Sequence, residues 1–224
     1  FIIDDHDECV PIDARTQLDD CALYLQAERW GFDEFPAPFG RDLLPAEKFI
    51  KDLDEGTGAS LKLTMLNEKG RIWNMVAGGG ASVVYADTFV DLGVGAEIGL
   101  YGEYSGGPNM EETYQYAKQL FKLCYKAPDG RNRALILGGG IANFTDVAKT
   151  FKGIVKALRE DHEQLKAANV RIFVRRGGPN YVAGLAMMRA VGEEIGIPMV
   201  VTGPEASLTN IVPMAVEWVK QGKQ

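Results

Sequence analysis

Hydrophobic positions change their spacing repeatedly along this chain of 224 residues. Short apolar runs, typical of buried parallel strands, alternate with longer segments whose apolar residues recur every three or four positions. In the segment 146–159 the apolar residues fall on one helical face: Val147, Phe151, Ile154, Val155 and Leu158. Strands that alternate with helices of this length indicate βαβ units. The pattern therefore predicts an α/β fold.

The same patterns set the limits of the predicted elements. The alternating run Ser60 to Leu66 and the strand Arg71 to Val76 flank a turn, so the domain is expected to open with a hairpin. Helices are predicted over residues 82–91, 110–126, 146–159, 181–195 and about 206–220. The expected architecture is Rossmann-like, of the flavodoxin-like type, with a mostly parallel sheet flanked by helices.

This main domain is predicted to cover residues 59–224. Residues 1–31 contain a strand pair around an acidic turn and a further strand or short helix, which is too little to fold alone. Residues 32–58 combine closely spaced prolines with an acidic helix-like stretch and are interpreted as a linker or arm. Because Phe1 stands inside a predicted strand and is not Met, we expect further residues upstream.

Composition excludes several classes of protein. A hydrophobic content of 46% is ample for a packed core. A net charge of -7 without clustered Lys and Arg argues against a nucleic-acid surface, and Lys152, Lys156 and Arg159 are interpreted as a solvated helix face. No apolar run approaches the ~20 residues of a membrane span. Three cysteines without a CxxC pair favour a reducing, cytoplasmic compartment.

Four apolar, strand-like runs end in glycine-containing turns, which begin at Gly78, Gly138, Gly177 and Gly203. In a parallel sheet such turns lie at the carboxyl edge, where open α/β folds bind ligands. Glycine lets backbone N–H groups approach a ligand, and the helix that follows points its positive end at it. The turns predict an anion site. A dinucleotide site is disfavoured, because Val83 and Asn143 stand where its third glycine belongs.

Polar side chains follow these turns. Asn143 and Thr145 are residue types that cap helices, which is also their simplest interpretation. Arg175 and Arg176 end one strand, so one should face the crevice while the other faces away, where a surface salt bridge is its expected role. A guanidinium holds a carboxylate or phosphate bidentately. The segment 101–108 is interpreted as a flexible loop whose Ser105 hydroxyl and Gly106 amide add donors, with an ordinary loop as the equal alternative.

Nucleophilic catalysis finds no support in the chain. The two histidines are His6, in the acidic turn, and His162, among acidic residues of a predicted helix. Neither belongs to a Ser–His–Asp or Cys–His arrangement. The chain is therefore expected to bind and orient a ligand rather than to supply a nucleophile, and no catalytic residue is assigned.

Seven peptides of this chain are distinctive as a set. They are residues 56–64, 70–73, 75–87, 101–106, 139–145, 150–155 and 173–181, among them Gly-Gly-Ile-Ala-Asn-Phe-Thr and Phe-Val-Arg-Arg-Gly-Gly-Pro-Asn-Tyr. Together they resemble ATP-citrate lyase. The resemblance extends from about residue 35 onward and is to the citrate-binding domain of that family, which is grouped with the succinyl-CoA synthetases in the acyl-CoA synthetase superfamily.

The resemblance implies a reaction in which citrate, ATP and coenzyme A give acetyl-CoA, oxaloacetate, ADP and phosphate through a phosphohistidine, citryl phosphate and citryl-CoA. It implies citrate contacts at six positions, namely Ser105, Gly106, Asn143, Phe144, Thr145 and Arg176. In this interpretation Arg176 pairs with a citrate carboxylate and Arg175 faces away.

Other parts of the family's machinery have only weak or no counterparts in this sequence. Residues 1–31 are similar to the tail of an ATP-grasp domain, with Asp13 at a Mg²⁺-binding position, so most of the ATP and Mg²⁺ site would lie elsewhere. The phosphohistidine, CoA-binding and lyase domains would belong to a second subunit of a hetero-oligomer, or to the rest of a longer single chain. A succinyl-CoA synthetase-type ligase subunit and a non-catalytic anion-binding assembly module are the alternatives.

Overall fold

The computed structural model describes residues 1–13, 18, 22–32 and 42–221 and divides into two compact units, Phe1–Asp42 and Leu43–Gln224. In the first unit β1 (Ile2–Ile3) and β2 (Cys9–Val10) form an antiparallel hairpin, and α1 (Leu23–Trp30) follows. The predicted strand pair is confirmed, and the element predicted as a further strand or a short helix is a helix. The proline-rich part of the predicted linker, residues 33–41, lies outside the described residues.

The second unit contains a seven-stranded sheet with helices on both faces. Its strands are β3 (Ser60–Met65), β4 (Ile72–Asn74), β5 (Val76–Ala77), β6 (Ile98–Ser105), β7 (Arg133–Leu137), β8 (Val170–Arg175) and β9 (Met199–Thr202). Its helices are α2 (Pro45–Glu55), α3 (Gly79–Asp91), α4 (Met110–Tyr125), α5 (Val147–Ala167), α6 (Tyr181–Ile195) and α7 (Ile211–Gln221). The strand order is β3-β6-β4-β7-β8-β9, with β5 beside β6, and only the β3–β6 pair is antiparallel. The predicted α/β fold with a mostly parallel sheet is confirmed.

The predicted opening hairpin is wrong. β3 pairs with β6, with Ser60 opposite Ser105, and β4 lies on the other side of β6. The turn before β4 is bonded to the start of β6 instead, since the backbone N–H groups of Leu66 and Asn67 donate to the Gly99 carbonyl. The same pairing corrects the interpretation of 101–108 as a loop, because residues 101–105 belong to β6.

Side chains that alternate along each strand pack into two hydrophobic layers, one on each face of the sheet. In β7, Leu135 and Leu137 join the layer beneath α4, α5 and α6, whereas Ala134 and Ile136 join the layer beneath α3 and α7. Helices α4 and α5 approach closely at Gly153, where a Cβ atom would collide with the Met110 carbonyl and the Thr113 hydroxyl. The central strands β4 and β7 and nearly all of β8 are buried on both faces, which explains their continuous apolar runs.

The second unit begins earlier than residue 59, because the described end of the predicted linker forms α2. Ile50 of this helix is 1% exposed and packs in the core, and Glu47 is 3% exposed. The Glu47 carboxylate accepts the backbone N–H of Leu44 at 2.8 Å and that of Met65 at 2.7 Å, which ties α2 to the end of β3. This segment is therefore part of the folded unit rather than an arm.

Three predicted helix limits also differ from the structure by more than one residue, and the first is the start of α3, which lies at Gly79 rather than at residue 82. Helix α5 continues past residue 159 to Ala167, because Asp161 and Leu165 extend its buried face. Helix α7 begins at Ile211 rather than near 206, and the residues before it form turns. Among the described helices, none combines the length and the apolar character that a membrane crossing requires.

Candidate functional site

The glycine turns meet at the carboxyl edge of the sheet. Ala77, at the end of β5, forms a parallel bridge with Gly139, and Ile141 forms one with Gly177. The Ala142 N–H donates to the Gly177 carbonyl at 2.9 Å. The turns after β5, β7 and β8 are therefore in contact, as the sequence predicted.

A cavity of about 330 Å³ opens where these turns meet the end of β6. Its volume lies near the lower limit of the ~300–1,000 Å³ typical of small-molecule sites. Five of the six residues predicted to contact citrate line it, namely Ser105, Gly106, Phe144, Thr145 and Arg176. Asn143 is exposed and is not part of the lining. The remaining lining residues are Ala77, Gly78, Ala81, Tyr104, Gly140, Ile141 and Ala142.

Arg176 supplies the positive charge of the cavity. Its side chain is 4% exposed, and its Nη1 donates to the Gly140 carbonyl at 2.8 Å. The buried Nε has no partner, and Nη2 makes no hydrogen bond to a described residue. A Cβ atom at Gly139 would lie 3.0 Å from both Cδ and Nη1 of Arg176, so glycine leaves room for the guanidinium. One hydrogen bond thus holds the Arg176 guanidinium in place, and its remaining N–H groups have no partner among the described residues.

Arg175 has a different set of partners. It is 5% exposed and does not line the cavity. Its Nη1 donates to the Gly139 carbonyl at 3.0 Å and its Nη2 to the Ala206 carbonyl at 2.8 Å. The expected surface salt bridge is therefore wrong, because this guanidinium is buried and ties the turn after β7 to the turn after β9. The two arginines diverge, as adjacent strand residues should.

The hydroxyls of Thr145 and Ser105 are available in the cavity. Neither makes a side-chain hydrogen bond within the described part of the chain, although Thr145 is only 9% exposed. Thr145 does not cap the helix, since Asp146 is the N-cap of α5 and accepts the Lys149 N–H at 2.9 Å. The second Asp146 carboxylate oxygen accepts the Asn180 amide at 2.8 Å. Helix capping therefore leaves the Thr145 hydroxyl free to meet a ligand.

The N-terminus of α3 contributes less positive potential than its glycines suggest. The Glu103 carboxylate lies beside Gly79, where a Cβ atom would be 3.1 Å from its Oε2, and it accepts the Tyr101 hydroxyl at 2.6 Å. Burial raises the pKa of the Tyr104 phenol, so this lining residue stays neutral. Among the lining residues, Arg176 is therefore the main source of positive charge.

Sequence reasoning missed Tyr104 and Asp146. Tyr104 was hidden because residues 101–108 were interpreted as a loop, whereas the alternating pattern Ile98 to Ser105 fits a strand. Asp146 carried a usable signal, since an Asp directly before an apolar-periodic run is a typical N-cap.

Asp13, the predicted magnesium ligand, is exposed and lies after β2, outside any helix or strand. No cluster of three or more His, Cys, Asp or Glu side chains suited to a metal occurs among the described residues. His6 is exposed in the turn of the first hairpin, where its backbone N–H donates to Asp4. The described residues alone therefore do not make up a metal site.

Comparisons with known proteins bear on this site. A family model described as ATP citrate lyase citrate-binding matches residues 41–218. ATP-citrate synthase alpha chain protein 3 of Arabidopsis thaliana is 58% identical over 212 residues, which are 95% of this chain and 50% of that protein. ATP-citrate synthase of Homo sapiens is 56% identical over 207 residues, 92% of this chain and 19% of that protein.

Solved structures agree with these relatives. The structure of ATP citrate lyase from Methanothrix soehngenii in complex with citrate and coenzyme A superimposes with a TM-score of 0.85 at 55% identity, covering 89% of this chain and 52% of that one. The chain spans about half the length of the plant relative and of this structure, and less of the human one.

Proposed function

The chain belongs to the citrate-binding family of ATP citrate lyase, and from this premise we propose that the cavity at the carboxyl edge of its sheet binds citrate. One observation carries the proposal: the buried Arg176 guanidinium is held by the Gly140 carbonyl yet keeps donors without partners in the cavity. A buried cation with spare donors suits a carboxylate, which can accept two of its N–H groups.

The remaining lining residues suit the other groups of citrate. The Thr145 and Ser105 hydroxyls and the Gly106 amide can bond to further carboxylates or to the tertiary hydroxyl. Phe144 is 73% exposed, so its ring forms part of the rim. We keep Asn143 as a sixth proposed contact, because it is exposed and adjoins Phe144, which lines the cavity.

In the whole enzyme we propose that this chain holds and orients citrate while other parts supply the reactive groups. The family reaction uses ATP, Mg²⁺ and CoA, and its phosphohistidine, CoA-binding and lyase domains would come from a second subunit or from the rest of a longer chain. The proposal includes a hetero-oligomer in the cytoplasm, the location favoured by the cysteine pattern. The purified chain alone should form no acetyl-CoA, and product formation without a partner would contradict this.

For residues 1–31 we propose the tail of an ATP-grasp domain, with Asp13 as one magnesium ligand. A carboxylate is the hard oxygen ligand that Mg²⁺ prefers. The exposed position of Asp13 leaves it accessible, and the remaining ligands would come from outside the described residues. In the full enzyme, Asp13→Asn should depress phosphorylation by MgATP and leave citrate affinity nearly unchanged. An equal fall in citrate affinity would contradict the assignment.

Calorimetric titration of the chain with citrate, succinate and phosphate tests the central proposal. Saturable binding of citrate that is at least tenfold tighter than binding of either other anion is expected, because only citrate combines three carboxylates with a hydroxyl. Tighter binding of succinate would favour a succinyl-CoA synthetase-type ligase. Equal, weak binding of all three would favour a non-catalytic anion-binding module.

A further inference from the structure

A second cavity, of about 340 Å³, lies at the opposite end of the strands. It is formed where β4 and β7 begin, where β3 ends, and between the start of α2 and the end of α4. Since the citrate cavity lies at the carboxyl edge, the two share no lining residue. We call this second one the amino-edge cavity.

Most of the amino-edge cavity is apolar. Leu44, Met65 and Leu123 contribute aliphatic or thioether side chains, and Trp73 also belongs to the lining. Burial raises the pKa of the Cys124 thiol to about 12, so this lining residue is uncharged at neutral pH. Such a lining suits a hydrocarbon body and disfavours a trianion such as citrate.

Two buried side chains of the lining have donors without partners. Trp73 is 2% exposed and Arg133 is 5% exposed. Within the described part of the chain, the Nε1 of Trp73 and the Nε and Nη1 of Arg133 make no hydrogen bond. The other end of the Arg133 guanidinium is fixed, since Nη2 donates to the Ala127 carbonyl at 2.6 Å. Buried donors are almost always paired in folded proteins, so these three N–H groups call for an acceptor.

The charged residues of the lining indicate that the group that accepts these hydrogen bonds is an anion. Lys122 and Lys126 also line the amino-edge cavity, against one lining carboxylate, that of Glu68. Asp129 offsets part of the Arg133 charge, through a 3.3 Å contact with Nη2. Helix α2 begins at this cavity, but the Glu47 carboxylate caps its first turn, so the positive charge comes from the Arg133 and lysine side chains rather than from the helix N-terminus.

We propose that the amino-edge cavity is a second ligand site, which takes a small amphipathic monocarboxylate. Its carboxylate accepts the free N–H groups of Arg133 and Trp73, and its hydrocarbon part lies against Leu44, Met65 and Leu123. The site differs from the citrate site in position and in ligand chemistry, so either can be correct without the other.

Octanoate is a suitable probe, with octanol as the uncharged control of equal chain length. Titration calorimetry on the 224-residue chain should give saturable octanoate binding that is at least tenfold tighter than octanol binding, because only the carboxylate bonds to the charged donors. Saturating citrate should change the octanoate Kd less than twofold. No saturable binding, or equal affinities for octanoate and octanol, would overturn the proposal.

Three variants test where the probe binds. Ala127→Trp should fill the cavity and abolish octanoate binding without a loss of fold, because Ala127 is exposed and lines the cavity at its surface. Ala96→Trp, at an exposed position outside the lining, is the matched control and should bind octanoate as the parent chain does. Arg133→Lys should weaken octanoate about tenfold, provided that circular dichroism shows a native fold. Unchanged binding by Ala127→Trp would show that octanoate binds elsewhere and would refute the site.

Discussion

Replacement of Arg176 is the sharpest test of the citrate site. Arg176→Ala removes the buried guanidinium that keeps free donors in the cavity, and it also frees the Gly140 carbonyl. A hydrogen bond to a charged group contributes about 1.5–3 kcal/mol. This corresponds to a loss of about tenfold to more than a hundredfold in citrate affinity, measured as the calorimetric Kd.

Three further variants show whether a loss of citrate affinity in Arg176→Ala is specific to that side chain. Arg176→Lys keeps the charge but loses the two-pronged geometry, so it should recover only part of the affinity. Arg175→Ala should lower the thermal midpoint, because it strands the Gly139 and Ala206 carbonyls, yet change the citrate Kd only a few-fold in the folded fraction. Arg171→Ala removes an arginine nearer the amino end of β8 and serves as the matched control. If Arg175→Ala weakens citrate more than Arg176→Ala, the assignment of the two faces is refuted.

Three other predictions test the cavity, the helix packing and an ion pair. Thr145→Val should weaken citrate binding about two- to tenfold, since one neutral hydrogen bond contributes roughly 0.5–1.5 kcal/mol, and Thr145→Ser should restore it. Equal calorimetric affinities of both variants and the parent chain would contradict a contact between the hydroxyl and citrate. Gly153→Ala should lower the free energy of unfolding in urea by ~1–3 kcal/mol or more, because the new Cβ atom would collide with the backbone of α4. Gly58→Ala, with open space around the new Cβ atom, should change this free energy little. The hydrogen-bonded Arg71 guanidinium lowers the pKa of Glu97. This pair therefore stabilises the fold at pH values above the unfolded-state pKa of about 4.3, and its contribution is lost as the pH falls through the lower folded-state pKa. Glu97→Gln should therefore lower the free energy of unfolding by about 1 kcal/mol at pH 7 and by less at pH 3, and a difference that grows with acidity would refute this.

Local patterns predicted much of this molecule. The period of apolar residues identified α6 with its observed limits, Tyr181–Ile195, and the glycine turns located the carboxyl edge. Strand alternation also predicted that Arg175 and Arg176 diverge. These features depend on neighbouring residues, whose backbone geometry is fixed over a few positions.

Long-range pairing was beyond local patterns. A short turn between two apolar runs favours a hairpin, but β6, which comes later in the chain, lies between β3 and β4 and pairs with both. The partners of Arg175 were also beyond prediction. Its guanidinium binds backbone carbonyls of the turns after β7 and β9 instead of the expected carboxylate, and every residue has such a carbonyl, so the sequence does not mark which ones are used.

The contacts between α2 and β3 have a consequence for self-association. β3 is the outermost strand of the sheet on its side, and an exposed strand edge is a template for pairing with another chain. The N–H groups of Leu61 and Met65 are occupied by carboxylates of α2, Asp54 at 2.5 Å and Glu47 at 2.7 Å. A strand arriving from a second molecule would find these donors taken and would meet two negative charges. Helix α2 thus protects the open margin of the sheet against aggregation.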